Sequence, residues 1–218
     1  MTDGTSRFRE VRWVPLLAVA VTLGLHFLMD DRFSPGSRWV VAGFESALIL
    51  VLLVRVPERR DRRARVLRRL SIGLVGALIG IALWATVVLV YELIVGGAVT
   101  NSANQLLSVG ALVWVGNNLA FSLLYWELDG GGPAERSHGS ASHPDLAFPQ
   151  HTSAELAPPG WRPLYVDYLY LGFTNALAFS PTDVMPMVPW AKMAMLLQSL
   201  ISFVVVGLVI ARAVNIFN

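Results

Sequence analysis

The sequence contains no cysteine, which excludes disulfides, thiolate metal sites and cysteine nucleophiles. It has one lysine, Lys192, so its basic charge is carried almost wholly by arginine. Charged residues make up only 15% of the chain, against 55% hydrophobic residues; a soluble domain carries about 25% and 45–50%. Also missing are a nucleophile–base pairing, a zincin motif, a phosphate loop and a dinucleotide fingerprint. The chain is therefore expected to be no enzyme and to need no cofactor. His138, His143 and His151 are irregularly spaced in a polar loop and make no metal-ligand pattern.

What is present is length without polarity. Four apolar runs stand out, Trp13–Met29, Trp39–Val56, Leu70–Val95 and Leu106–Tyr125, and a fifth, Pro189–Phe217, closes the chain. Each is near or above the roughly 17–25 residues a helix needs to cross a bilayer. None has the polar face that a helix of a soluble core would need. Arg7, Arg9 and Arg12 precede the first run as in a signal peptide, but "FLMDDRFSPG" offers no small-residue cleavage site, so the run reads as a retained helix. The expected fold class is all-α, a polytopic transmembrane bundle. Its parts are a four-helix region over 1–128, an irregular loop over 129–163 and a helical hairpin over 164–218.

Between the second and third runs lies Arg55–Arg69, with eight arginines against Glu58 and Asp61. Short loops this rich in arginine stay in the cytoplasm, which puts the N-terminus inside a bacterial inner (plasma) membrane. The same arginines suit anionic lipid head groups, at roughly 1 kcal/mol each near the surface. The loop has few aromatics, so nucleic acid is not an expected partner.

The segment Leu164–Ser180 is ambiguous. As a span it would be about 25 Å long at 1.5 Å per residue, giving six spans and a cytoplasmic C-terminus. The alternative is five spans plus a re-entrant hairpin. Charge does not separate them, because Lys192 and Arg212 simply exchange sides. Length favours the span, with Asp167 in its first turn as a cap, Thr174 bonded back to its own helix and Asn175 bonded to the last helix. Pro181 would end the helix. Trp190 and Lys192 would then mark the outer interface.

Spacing favours the hairpin. Asp167, Tyr170, Thr174 and Asp183, followed by Val184 and a long terminal helix, resemble the pore hairpin of two-helix potassium channels. On that pattern the filter falls on Ala178, Phe179, Ser180, Pro181 and Thr182. Neither filter glycine is there, and Pro181 fixes its own φ, so the carbonyl cage of a potassium filter is not available. A resemblance covering nearly the whole chain is to a family of small bacterial predicted membrane proteins of unknown function. Their C-terminal segment reads Asp-x-x-Tyr-Phe-x-Phe-Thr-x-Gly-Met-Thr-Phe-x-x-x-Asp-Val, followed by a helix ending in Val-Asn. Asp167, Tyr170, Phe173, Thr174, Phe179, Asp183, Val184, Val214 and Asn215 match it. Ala176 replaces the glycine and Ala178 the second threonine. This resemblance implies a fold and a location, and no activity.

Polar residues within apolar runs are functional candidates, because burying them in lipid is costly. They are His26, Glu45, Glu92, Asn117, Asn118, Gln198, Ser202 and Arg212. Glu92, beside Tyr91, is expected to reach interfacial water. Glu45 is expected to pair with Arg212 or with the Asn117 and Asn118 amides. Gly73, Gly76 and Gly80 offer a small-residue face for close helix packing. The leading functional expectation is a channel-like ion-permeation protein for a monovalent cation. It would be a homo-oligomer, since one hairpin cannot enclose a pore. The alternative is a non-conducting scaffold or partner subunit. A proton-coupled transporter using Glu45 would need inverted repeats that the sequence lacks.

Overall fold

Glycine, serine and proline set the helix ends in this chain. The computed structural model describes residues 13–54, 62–138, 143–153, 155, 157–177 and 183–217. Within them the helices are α1 (Trp13–Leu28), α2 (Arg38–Val54), α3 (Arg62–Val95), α4 (Ala103–Leu128), α5 (Pro133–Ser137), α6 (Pro149–Thr152), α7 (Tyr165–Leu177) and α8 (Pro189–Phe217). Strands β1 (Leu146–Ala147) and β2 (Met185–Pro186) form one short antiparallel pair. Helix α3 stops at Gly96, whose φ of 89° is left-handed and whose N–H bonds the Glu92 carbonyl, the usual glycine stop. The Ser102 side chain accepts from Gln105 N–H and starts α4. Helix α4 runs out into Gly130, Gly131 and Gly132, all at positive φ. Pro189 opens α8 at the first helical position, where a missing N–H costs nothing.

The chain is all-α apart from that strand pair. Three of its helices, α3, α4 and α8, are long and apolar enough to cross a membrane. Helix α1 is apolar but shorter, at 16 residues. Helix α4 is central and packs on α1, α3, α7 and α8; α2 lies outside, on α1 and α3. Large apolar side chains such as Trp84, Leu200, Phe203 and Ile210 cover the outer surface.

The bundle has two distinct ends. Arg62–Arg69 opens α3 at one of them, where a Cβ on Gly132 would lie 3.1 Å from Arg68 Nε. The α4 C-terminus is thus at this Arg-rich end. At the other end Arg32, between α1 and α2, holds Glu92 of α3 at 2.7 Å, and the Glu92 carboxylate also accepts from Val99 N–H.

Helix α7 begins at the Arg-rich end, with the Tyr165 ring 5.9 Å from that of Trp126. It runs inward until Phe173 meets Trp114, with ring centroids 5.5 Å apart. Helix α8 takes the same direction beside it. Gln198 bonds the Gly172 carbonyl and Ser202 the Ala176 carbonyl. Further on, Val209 lies against Gly110, and Ala213 joins the apolar cluster with Met29 and Val99. Between the two helices the chain returns to the Arg-rich end, where β2 pairs with β1, and β1 hangs from Asp129.

Several expectations are corrected by this arrangement. Helix α7 is described over 13 residues, about 20 Å at 1.5 Å each; 178–182 lie outside the described residues. Trp190 and Lys192 sit at the Arg-rich end and Arg212 near the opposite one. Arg62–Arg69 is helical, not loop; 55–61 lie outside the described residues. Glu92, expected to reach interfacial water, is buried and paired with Arg32 near the far end. The 129–163 segment carries α5, β1 and α6. Gly73, Gly76 and Gly80 make no close packing, since a Cβ there meets nothing within 4 Å. Gly172 and Gly110 do, against Ser122 and Val209.

Candidate functional site

Helix α8 donates to carbonyls on the last described turns of α7. Ser199 Oγ donates to the Asn175 carbonyl at 3.1 Å and Ser202 Oγ to that of Ala176 at 2.7 Å. Gln198 Nε2 donates to the carbonyl of Gly172 at 2.9 Å. The stripe of polar residues on the last helix therefore serves the end of α7.

Gln198 is the hub. Its Nε2 also donates to Asn118 Oδ1 at 3.1 Å, and its Oε1 accepts from Tyr125 O–H at 2.7 Å and Asn175 Nδ2 at 2.8 Å. All four positions of the amide are used. Asn175 Nδ2 reaches Met195 O as well, Asn118 Nδ2 reaches Trp114 O, and Trp114 Nε1 donates to Ser202 Oγ. A side chain at Gly172 would break this network. Its Cβ would overlap Ser122 Oγ and lie 3.2 Å from the Asn118 carbonyl oxygen.

The mouth of the hairpin is tied by Asp129. One carboxylate oxygen accepts from the N–H groups of Asp145 and Leu146; the other accepts from Tyr168 O–H. The Arg136 guanidinium covers the Tyr168 ring, 4.9 Å from its centroid, and donates to the Trp126 and Asp129 carbonyls. Asp167, third residue of α7, reaches back to Leu164 N–H at 2.7 Å, the reciprocal half of a capping box. His151 packs on Phe148 and Trp161, and its Nδ1 accepts from Phe148 N–H. Burial pushes its pKa below the usual value, against a smaller opposing pull from Asp129.

Of the other candidates, Thr174 bonds the Tyr170 and Leu171 carbonyls of its own helix, as expected. Tyr170 and Asp183 are exposed. Ser180 and Thr182 lie outside the described residues. Arg212 is partly buried, with Nε lacking a partner. Glu45 does not meet Arg212 or the asparagines: its Oε1 is 2.8 Å from His26 Nδ1, with both groups buried between α1 and α2. Asn117, one residue from the hub residue Asn118, faces the other way and donates to Thr86 Oγ1 at 2.8 Å and Val113 O at 2.9 Å.

Sequence reasoning therefore found Gln198, Asn118, Asn175 and Ser202 but missed Asp129, Tyr168, Tyr125 and Gly172. A signal for the His26–Glu45 pair was present. The two residues are equally spaced about the Pro35–Gly36 turn, so antiparallel α1 and α2 bring them level. Comparison with family models, with curated proteins and with solved structures found no match.

Proposed function

We propose that the chain is an inner-membrane protein of five spans, α1 to α4 and α8, with α7 as a re-entrant half-helix. We further propose that a homo-oligomer of it passes a monovalent cation. The shared direction of α7 and α8 carries this reading, because two consecutive helices that both enter by the same end cannot both be spans. With the Arg55–Arg69 segment cytoplasmic, the hairpin opens to the cytoplasm, beside arginines suited to anionic lipid, and the C-terminus lies outside. The carbonyl end of α7 then points into the middle of the membrane. That end bears the negative pole of the helix, and broken helices of transporters hold cations in this way. Asp183 is an exposed acidic residue at the mouth.

The resemblance to small bacterial membrane proteins of unknown function agrees with this location and adds no activity. A second reading, a non-conducting partner subunit, draws support from the hub itself. Gln198, Asn118 and Asn175 spend their hydrogen-bonding groups on one another and on helix carbonyls, which suits glue better than a path for ions. Cation flux into liposomes, measured alongside the oligomeric mass, separates the two. The permeation reading expects flux that Asp183→Ala lowers; an oligomer no leakier than empty liposomes would leave only the second.

A further inference from the structure

A cavity lies between α1, α3 and α4, away from the hairpin. Its wall is mostly apolar, formed by residues such as Leu25, Met29, Leu78 and Val113, with three polar groups, Thr22, His26 and Asn117. Its free volume for a water-sized sphere is about 10 Å³, close to what one water needs. Thr22 is committed to the Val19 carbonyl. Asn117 is 4% exposed, and its Oδ1 has no donor although its amide nitrogen is fully engaged. His26 faces the cavity on one side and Glu45 on the other, and Glu45 Oε2 also lacks a donor. A buried acceptor left unpaired is costly, so Asn117 Oδ1 at the cavity marks a missing donor.

We propose that the cavity binds a single water, which donates to Asn117 Oδ1 and to His26. Glu45, His26, the water, Asn117 and Thr86 then form one chain across α2, α1, α4 and α3. With Glu45 ionised, Nδ1 of His26 carries the hydrogen that Oε1 accepts, and Nε2 is left with a lone pair for the water. Other titratable groups on these helices do not share the site. Glu92 is held by Arg32 and Arg38 by Asp31, both near the far end, and the α3 arginines and α4 Glu127 lie toward the Arg-rich end. The site stands whether or not the hairpin conducts.

Nitrogen-15 histidine spectra of the whole protein in lipid nanodiscs test this, with His26 assigned through His26→Gln. The expected result is magnetisation transfer from water to the His26 ring. In Asn117→Leu, which fills the cavity and removes the acceptor, the water transfer should be lost. A wild-type His26 with no water transfer overturns the site, whatever the variant does.

Discussion

Two buried polar regions of this molecule differ in one respect. Around Gln198 every amide position has a partner, and the donors end on the carbonyls of α7. Around Glu45 and Asn117 two acceptors have none, and a cavity of one water's size lies against one of them. Both regions sit in an apolar bundle and both were candidates by composition alone. The saturated one holds a helix end in place, which makes it a packing element. The unsaturated one is short of a donor, which makes it the candidate binding site. Position in an apolar helix does not distinguish glue from site; the accounting of partners does.

The sharpest way to break that comparison is at Gly172. Gly172→Ala should destabilise the protein by ~3 kcal/mol or more, by overpacking against Ser122 and displacing the Gln198 bonds. Ser122→Gly in the same chain should recover much of the loss, as chemical denaturation in detergent would show. An additive pair of effects would mean that α4 and α7 do not touch there. The next largest effect separates the two regions directly. Gln198→Leu removes four bonds worth roughly 0.6 kcal/mol each in a membrane protein, so ~2 kcal/mol. Asn117→Leu gives up two such bonds within the protein and should cost about 1 kcal/mol. Equal losses would erase the distinction.

Two smaller effects refine the hairpin mouth. Asp167→Ala deletes a first-turn bond to Leu164 N–H and should cost ~1 kcal/mol, leaving any flux in liposomes unchanged. A large fall in flux at unchanged stability would give Asp167 a role beyond the cap. The last effect is on pH dependence. His151 has a folded pKa below its unfolded value of about 6.5. Its contribution is therefore complete above about pH 6.5 and is lost as pH falls through the lowered folded value. Melting curves of wild type and His151→Gln should diverge least in acid and most above neutrality. Curves that stay parallel throughout would mean that the ring is not held neutral.

Much of this was legible in the sequence. The long helices follow from apolar runs, the cap from Asp167 in a first turn, and the internal bond of Thr174 from its place mid-helix. Gln198, Asn118 and Asn175 stood out because amides in apolar runs must find partners. The course of α7 was not legible. Leu164–Ser180 is long enough to cross, and Lys192 and Arg212 trade sides without changing the charge balance. What decides it is Asp129, at the end of another helix, which gathers Tyr168 and β1 to one point; contacts across that many residues leave no periodic mark. Gly73, Gly76 and Gly80 misled for a related reason. Glycine spacing shows that a face is smooth, not that a neighbour lies on it.

The central claim is that α7 and α8 enter from the same side. A reporter enzyme active only outside the cytoplasm, fused after Asn218, tests it most directly, paired with impermeant thiol labelling of a cysteine placed at Arg62. A re-entrant α7 predicts strong reporter activity with Arg62→Cys unlabelled in intact cells. An inactive reporter with the same unlabelled cysteine would mean that α7 crosses the membrane, and would contradict the account.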